Sequence, residues 1–312
     1  MDVIQPTMKD FLKRISDNEN ELISPAFTLY FERNSKFLAY RLPTDDELKD
    51  ILKTVADTVE ADARVTDVVK KQELWQKGWS ENLKEYDESE DLTKVAPKYY
   101  RRSPFLRQDG SYIIPKYPDI YEYTYMHLFR QWMFDKFFHS RTAVYEFGCG
   151  SGDNLVHFCA NSSTDAYGLD YTQASVDLVN LLAKRNEFNL KGILFDMTKP
   201  DYTLNVKSGS ALFTMGALEQ IPEGYENFVE FVINKKFDFC MHVEPMYELY
   251  DNANVADTLS IKFHDKRRYI KGYLPLLKKL EAEGRIEIYK IHRPHFGNMM
   301  QDSWSYVAWR PL

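Results

Sequence analysis

The sequence predicts an α/β protein: a mostly parallel sheet of seven strands with helices on both faces, preceded by a mainly helical N-terminal region. From Thr142 onward, short β-rich runs alternate with helical stretches. This alternation is typical of right-handed crossovers within a parallel sheet. Only about ten residues separate the last two β-rich runs, too few for a helical crossover, so the final strand should be antiparallel.

Length and composition are those of a folded cytoplasmic protein. The chain has 312 residues, 44% of them apolar and 28% charged, which is enough for one large or two modest domains. No apolar run reaches the roughly 18 residues of a membrane span, and the N-terminus has no secretory pattern. Cys149, Cys159 and Cys240 have neither metal nor disulfide spacing, which favours a reducing compartment. The net charge of −7 argues against a nucleic-acid partner.

We divide the chain into an N-terminal cap or lid region, residues 1–119, and an α/β domain, residues 120–312. In the cap, Thr44 and Glu47 have the spacing of a capping box, and apolar residues with helical periodicity follow. A second helix should carry Val69, Leu74, Trp75 and Trp79.

Other segments of the cap are less regular. Residues 27–42 form either a short hairpin or a helix opened by Ser24 and Pro25. The proline-rich, aromatic residues 97–118 indicate a packed connector or an active-site lid. Residues 120–138 should form a helix that leads into the α/β domain.

In the α/β domain, strands are expected at 142–147, 166–170, 192–195, 211–215, 237–243, 285–292 and 303–309. Helices are expected between most of them, at 153–160, 173–186, 225–234 and 258–283. A mostly parallel sheet of this kind is covered on both faces by its crossover helices.

The most informative motif is the loop from Glu146 to Gly152, Glu-Phe-Gly-Cys-Gly-Ser-Gly, between the first strand and the first helix. Glycines at this point let the backbone turn tightly and approach a ligand. Asp170 ends the second strand, where it can accept from the ribose hydroxyls of a nucleoside. Asp196 and Met197 end the third strand, where the carboxylate can accept from an adenine amine. The sequence therefore predicts a nucleoside-binding crevice.

The spacing and charge of the glycine loop discriminate between two cofactor classes. A dinucleotide fingerprint needs Gly-x-Gly-x-x-Gly, whose third glycine makes room for a pyrophosphate. Here Gly152 comes one residue early, Asp153 takes the third position, and Glu146 adds another carboxylate. Negative charges repel a pyrophosphate but suit S-adenosylmethionine, which carries a sulfonium and an ammonium and no phosphate.

From Tyr121 to Leu312 the chain resembles a class I S-adenosylmethionine-dependent methyltransferase of the small-molecule type, whose pattern is an acidic residue, any residue, then Gly-x-Gly-x-Gly. The resemblance implies a Rossmann-like fold and S-adenosyl-L-methionine as cofactor. It implies that Glu146 orders the methionine amino group, Asp170 binds the ribose and Asp196 lies at the adenine. The other cofactor contacts that we expect are Gly148, Cys149, Gly150, Gly152, Asn154, Tyr171, Met197, Met215 and Gly216.

Residues 215–222 resemble the fourth-strand motif of this family, in which a Leu-Glu-His-x-Pro-like sequence is common. Gln220 stands where the family often has histidine, so a histidine base is absent at that position. We expect substrate contacts from Glu219, Gln220, Tyr247 and Tyr121.

A general base is needed only if the nucleophile arrives protonated. Alternation along the fifth strand places His242 and Glu244 on one face. Glu244 could bind a substrate amine or hydroxyl with His242 as the base, or both could serve only in capping and surface charge. His295, after the sixth strand, is a third catalytic candidate. No spacing supports a metal site.

The resulting interpretation is a methyltransferase that acts on an oxygen or nitrogen atom of a small polar metabolite, because a cap of this size suits an enclosed substrate. Alternatives are a protein side-chain methyltransferase, a non-catalytic binding protein with the same fold, and a nicotinamide dehydrogenase, against which the early glycine argues. Arg101, Arg102 and Arg107 could meet an anionic substrate or only pair with surface acids. We expect no membrane partner, and a homodimer is allowed.

Overall fold

The computed structural model of the chain describes residues 2–63, 68–97 and 103–312; Arg101 and Arg102 lie outside these ranges. Its helices are Met8–Ser16 (α1), Pro25–Asn34 (α2), Asp45–Ala61 (α3), Val68–Ser89 (α4), Tyr121–Phe137 (α5), Asp153–Cys159 (α6), Gln173–Asn186 (α7), Tyr225–Lys235 (α8), Val255–Arg267 (α9) and Tyr273–Ala282 (α10). Its strands are Tyr40–Arg41 (β1), Leu106–Gln108 (β2), Ser111–Pro115 (β3), Ala143–Phe147 (β4), Asp165–Asp170 (β5), Leu190–Leu194 (β6), Ala211–Met215 (β7), Phe239–Val243 (β8), Ile286–His292 (β9), Phe296–Gly297 (β10) and Tyr306–Pro311 (β11). Within these ranges, no helix is long and apolar enough to cross a bilayer.

One large sheet contains seven strands in the order β6-β5-β4-β7-β8-β11-β9. Strands β4 to β8 pair in parallel, and β11 is antiparallel to both of its neighbours. The predicted seven-stranded architecture with an antiparallel last strand is confirmed, and that strand lies between β8 and β9. After β6 the chain returns to the other side of β4 to form β7. The end of β4 is therefore the topological switch point at which such sheets bind ligands.

Strand β4 shows how the sheet is covered on both faces. Val144 belongs to an apolar cluster that includes Phe11 of α1 and Phe27 of α2. Its neighbours Tyr145 and Phe147 belong to a second cluster, together with residues of α8 and α10. Successive side chains of a strand point to opposite faces, so each face of the parallel sheet buries its own set.

Ser24 decides between the two structures that the sequence allows for residues 27–42. Its Oγ accepts a hydrogen bond from the backbone N–H of Phe27 at 3.0 Å, and Pro25 occupies the first turn of α2. Both features favour the start of a helix. The segment therefore begins as helix α2 and is not a hairpin; a 3-10 turn, Ser35–Leu38, and strand β1 complete it.

The single helix predicted over residues 258–283 is wrong, because two helices occupy this region. Helix α9 ends at Arg267, followed by Arg268 in the left-handed conformation with φ of 50°. Gly272, with φ of 86°, then precedes α10. A left-handed residue cannot continue a right-handed helix, so the chain turns between the two.

The segment predicted as an irregular connector, residues 97–118, contains a β-hairpin in its described part. Strands β2 and β3 pair around Asp109 and Gly110, whose φ values of 53° and 76° are both positive. A two-residue Asp-Gly loop of this kind is a strong hairpin signal, and the sequence interpretation missed it. With β1 and β10 the hairpin forms a second sheet, in the order β1-β3-β2-β10, which joins the N-terminal region to residues 296–297.

A buried ionic network fastens this hairpin to the α/β domain. Arg107 on β2 is 1% exposed, pairs with Asp302 at 2.8 Å and also pairs with Asp257 of α9. Arg293 pairs with Asp257 at 2.6 Å and with Asp302 at 2.7 Å. Each carboxylate thus accepts from two guanidinium groups, an arrangement that offsets the cost of burying the charges. Arg107 is engaged in this network and does not line the crevice described below.

Replacing Arg107 should destabilise the fold, because it would leave part of the negative charge of Asp257 and Asp302 buried without a counter-ion. For Arg107→Met we expect the free energy of unfolding to fall by about 3–5 kcal/mol, measured by urea denaturation. Arg310→Met is the matched control, since Arg310 forms a half-exposed pair with Glu287; we expect a change within about 0.5 kcal/mol. Equal stability of the two variants would contradict the role of the network.

Candidate functional site

A crevice of ≈ 340 Å³ opens at the carboxyl ends of strands β4 to β7, at the topological switch point. This volume lies near the lower end of the roughly 300–1,000 Å³ range of small-molecule sites. The glycine loop and the strand ends provide most of its wall: Glu146, Gly148, Cys149, Gly150, Ser151, Asp153, Asn154, Asp170, Tyr171, Phe195, Asp196, Met197, Thr198, Met215, Gly216 and Ala217. The rest of the wall comes from Lys71, Gln72, Trp75, Trp79, Pro97, Gln220, Ile221, Pro222, Glu223 and Arg268.

Glycine is required in the loop for two separate reasons. Gly148, Gly150 and Gly152 have φ values of 75°, 53° and 78°, in the left-handed region that other residues rarely adopt. A Cβ on Gly148 would overlap the side chain of Ala217, and one on Gly150 would lie 2.7 Å from Cζ2 of Trp79. The loop therefore lies against both the end of β7 and helix α4.

Asp170 holds the loop in this shape from the end of β5. One carboxylate oxygen accepts from the backbone N–H of Gly150 at 3.0 Å. The other accepts from the N–H and the hydroxyl of Thr172 at 2.9 and 2.8 Å. Burial raises the pKa of Asp170, although these hydrogen bonds act in the opposite direction. Asp170 lines the crevice, and the oxygen bonded to Gly150 has capacity for a second hydrogen bond.

Glu146 is the most unusual group of the site. It is 1% exposed, and its Oε1 accepts from Nδ2 of Asn154 at 2.7 Å. Its Oε2 is buried without a hydrogen-bond partner, and the hydroxyl of Ser151 is likewise buried and unpartnered. Burial raises the pKa of Glu146 to about 8. Unpaired buried polar atoms are costly, so these two atoms mark a place for a polar ligand group.

Arg130 of α5 sets the charge next to the loop. Its Nη1 donates to Asp153 at 2.5 Å and to Oδ1 of Asn154 at 3.0 Å. Arg130 is buried, so it neutralises the charge of Asp153 and orients Asn154 toward Glu146. Of the two carboxylates to which we assigned the repulsion of a pyrophosphate, Asp153 is therefore paired with a cation. The sequence interpretation missed Arg130, because no motif connects it with the loop.

At the end of β6, Asp196 closes the opposite side of the crevice. Its Oδ1 accepts from the N–H and the hydroxyl of Thr198 at 2.8 and 2.7 Å. Its Oδ2 makes no hydrogen bond to a described residue. Phe195 and Met197 flank it in the wall, so a carboxylate oxygen and two apolar side chains lie together there.

Helix α4 covers the crevice. Lys71, Trp75 and Trp79 are spaced four residues apart, share one face of the helix and line the crevice. The rings of Trp75 and Trp79 stack with centroids 5.4 Å apart. Gln76 accepts from the N–H of Ala174 at the start of α7 at 3.2 Å, which anchors the helix. The sequence predicted this helix but not its position over the glycine loop.

None of the three catalytic candidates lines the crevice. His242 is fully buried between Tyr273 and Trp309, and burial lowers its pKa to about 3. His295 lies on the surface just before β10, where its carbonyl oxygen accepts from the N–H of Asp109 at 2.9 Å.

Glu244, the third candidate, is buried below the loop that follows β7. It accepts from the hydroxyl of Thr214 at 2.6 Å and from the N–H groups of Ala217, Leu218 and Glu219 at 3.1–3.2 Å. Burial raises its pKa to about 7. In this position Glu244 stabilises the loop of residues 217–219 behind the crevice and does not line the crevice itself.

Of the four substrate candidates, the structure brings only Gln220 to the crevice. Glu219 lies behind it and accepts from Nε2 of Gln220 at 2.8 Å. The hydroxyl of Tyr121 donates to Gln108 at 3.2 Å inside the fold. Tyr247 contacts Lys271, whose Nζ is 4.3 Å from the ring centre.

The cofactor candidates are brought together, since all of them except Gly152 line the crevice. Gly152 shapes the loop from behind, where its Cβ would meet Val179 at 3.0 Å. No group of His, Cys, Asp and Glu within the described ranges has the arrangement of a metal site.

No family model and no curated protein matches the chain. Solved structures do match. LaPhzM is 12% identical with a TM-score of 0.45, covering 62% of this chain and 57% of its own. The branched-chain polyamine synthase of Thermus thermophilus, in complex with N4-aminopropylspermidine and 5'-methylthioadenosine, is 13% identical with a TM-score of 0.42, covering 61% and 56%. A putative RNA methyltransferase from Pyrococcus horikoshii is 9% identical with a TM-score of 0.39, covering 59% and 82%.

This chain spans a little more than half the length of the first two proteins. The strand order and the glycine loop at the end of β4 agree with the Rossmann-like fold that the resemblance to class I methyltransferases implies. A fold does not by itself establish an activity, so the function has to be argued from the site.

Enlarging Gly150 should weaken ligand binding, because the new methyl group would displace Trp79 and strain a left-handed residue. For Gly150→Ala we expect the affinity for S-adenosylmethionine to fall at least about tenfold, measured by calorimetry. Gly284→Ala is the matched control: Gly284 has φ of 70°, and nothing lies within 4 Å of an added Cβ. It carries similar backbone strain and should bind as the unchanged protein does. Equal affinities of the two variants would contradict the close packing of α4 on the loop.

Proposed function

We propose that the protein is an S-adenosylmethionine-dependent methyltransferase that transfers a methyl group to an oxygen or nitrogen atom of a small polar metabolite. The observation that carries the proposal is the carboxylate of Glu146, which lines the crevice with Oε2 buried and unpartnered. Such a group favours a ligand that brings a cation and N–H donors. S-adenosylmethionine brings an ammonium at the end of its methionine part.

The remaining wall fits the other parts of this cofactor. Asp170, Tyr171, Asp196 and Met197 line the crevice; in the proposal, the first two would hold the ribose and the last two the adenine. Met215 and Gly216 line the crevice at the end of β7, together with the loop backbone. A pyrophosphate, by contrast, would bring neither a cation nor an N–H donor to the unpartnered Oε2 of Glu146, which disfavours a nicotinamide dinucleotide.

When bound, S-adenosylmethionine supplies an electrophilic methyl group, which bonds to a lone pair of the acceptor as the carbon–sulfur bond breaks and leaves neutral S-adenosylhomocysteine. The chain's own contribution is to orient the partners and to exclude water. Trp75 and Trp79 cover the crevice, and Gln220 offers an amide group at its wall. No histidine lines the crevice within the described ranges, so an imidazole base is not among the groups of this wall.

The cover formed by α4 and the volume of ≈ 340 Å³ support a small acceptor. A protein side chain as acceptor and a non-catalytic binding role are the competing proposals. We also propose a cytoplasmic location, a cap at 1–119 and a catalytic domain at 120–312.

Incubation with methyl-labelled S-adenosylmethionine and a lysate split into metabolite and protein fractions tests the acceptor: label in the metabolite fraction supports the proposal. Label in protein, or binding without any transfer, would overturn it.

Removing the charge of Glu146 should weaken cofactor binding, because the ammonium would lose its charged partner. A hydrogen bond to a charged group contributes about 1.5–3 kcal/mol, so Glu146→Gln should lower the affinity for S-adenosylmethionine roughly 10- to 150-fold. Calorimetry on the folded variant measures this loss. Glu226→Gln, at an exposed position of α8, is the control and should bind normally.

The same residue predicts proton release on binding. Burial raises the pKa of Glu146 to about 8, so most of the carboxyl is protonated at pH 7 in the ligand-free protein. A bound ammonium stabilises the carboxylate, so binding at pH 7 should release a proton and tighten as the pH rises toward 8. Calorimetry in buffers of different ionisation enthalpy measures the release. An equal release by Glu146→Gln would assign the proton to the ligand's own amine and refute the prediction.

A further inference from the structure

The geometry points to an anionic acceptor: we infer that Lys71 and Arg268 receive a carboxylate or phosphate group of the acceptor at the rim of the crevice. This inference rests on the proposed methyltransferase function, and it names the chemical class of the substrate.

Lys71 is a buried cation that lines the crevice. It is 8% exposed, and its ammonium makes one long hydrogen bond to a described residue, at 3.4 Å to the carbonyl oxygen of Arg267. The ring centre of Tyr269 lies 5.8 Å away, and no carboxylate of the described residues pairs with Lys71. An ammonium has three donors, so its hydrogen bonding here is incomplete. A buried charge in this state is costly and is stabilised by an arriving anion.

Glu219, the carboxyl group near Lys71, does not act as its counter-ion. Both of its carboxylate oxygens accept from side-chain amides, from Gln220 at 2.8 Å and from Gln301 at 3.2 Å. Burial and the neighbouring Glu244 raise the pKa of Glu219 to about 8, so at neutral pH it is mostly protonated and uncharged. Burial also lowers the pKa of Lys71; the nearby Glu219 acts in the opposite direction, and the charge of Arg268 adds to the lowering. A bound anion would counteract the effects of burial and of Arg268.

Arg268 brings a second cation to the same rim from the turn after α9. It pairs with Glu223 at 3.2 Å, but the two side chains are 57% and 83% exposed. Exposed pairs of this kind contribute little and exchange readily. The guanidinium can therefore bind a ligand anion through its other N–H groups.

The wall of the crevice carries groups of both charges. Glu146, Asp170 and Asp196 lie at or just after the ends of β4, β5 and β6, where they suit a cationic donor. Lys71 lies next to Arg267 of α9, and Arg268 and its partner Glu223 belong to the same wall. Apolar wall from Trp75, Ile221 and Pro222 accompanies these cations. This combination suits an acceptor with an apolar or aromatic body and one anionic group.

Binding of small aromatic probes tests the inference without knowledge of the acceptor. Benzoate, phenyl phosphate and the neutral benzamide are titrated with and without saturating S-adenosylhomocysteine, and the fluorescence of Trp75 and Trp79 and the heat of binding are followed. We expect at least one anion to bind at least about tenfold more tightly than benzamide. The anion that binds better identifies the carboxylate or the phosphate as the preferred group.

Lys71→Met should lose at least about tenfold in affinity for that anion, with S-adenosylhomocysteine affinity unchanged, and Lys71→Arg should retain binding. Lys77→Met, an exposed lysine of the same helix, is the control and should bind as the unchanged protein does. If Lys71→Met does not fold, Arg268→Gln takes its place, with a smaller loss expected. Benzamide binding as tightly as both anions, or anion affinity unchanged by these substitutions, overturns the inference. Absence of S-adenosylhomocysteine binding in the unchanged protein instead overturns the proposed function, because the probes report on the anion site separately.

Discussion

The hydrogen bond from the backbone N–H of Gly150 to the carboxylate of Asp170 is the contact on which the site depends. It joins the ends of β4 and β5 and holds the loop in a left-handed conformation that only glycine adopts readily. Because this loop is held close to the sheet, Trp79 can pack directly over it and Ala217 beside it. A Cβ at Gly150 would lie 2.7 Å from Trp79, so the loop and its cover leave no room for a side chain there.

The electrostatics of the crevice follow from burial more than from the number of charges. Glu146 and Asp153 are both acidic, but the ion pair formed by Arg130 is with Asp153. Glu146 keeps one oxygen without a partner, in surroundings where burial raises its pKa. Lys71 is a buried cation of the same crevice, and it makes a single long hydrogen bond to a described residue. In the proposals made above, the ammonium of S-adenosylmethionine would be the missing partner of Glu146. An anionic group of the acceptor would be the missing partner of Lys71.

The N-terminal region is structurally continuous with the α/β region rather than a loose attachment. Its hairpin shares a sheet with β10, and Arg107 joins the hairpin to Asp257 and Asp302. Helix α4 contacts α7 through Gln76, and Lys71 near its N-terminal end contacts Arg267 of α9. These contacts hold helix α4 in place over the crevice. A small ligand can therefore be enclosed between α4 and the sheet without a separate closing domain.

The alternation of strands and helices, the antiparallel last strand, the capping box from Thr44 to Glu47 and the glycine loop with Asp170 could all be predicted from the amino-acid sequence. These features depend on periodicity and on backbone requirements that neighbouring residues reveal. Three other features are visible only in the folded chain: Arg130 neutralises Asp153, α4 covers the loop, and His242 is enclosed in the core. Each of these depends on residues far apart in the chain, whose contact follows from packing and leaves no local pattern to read.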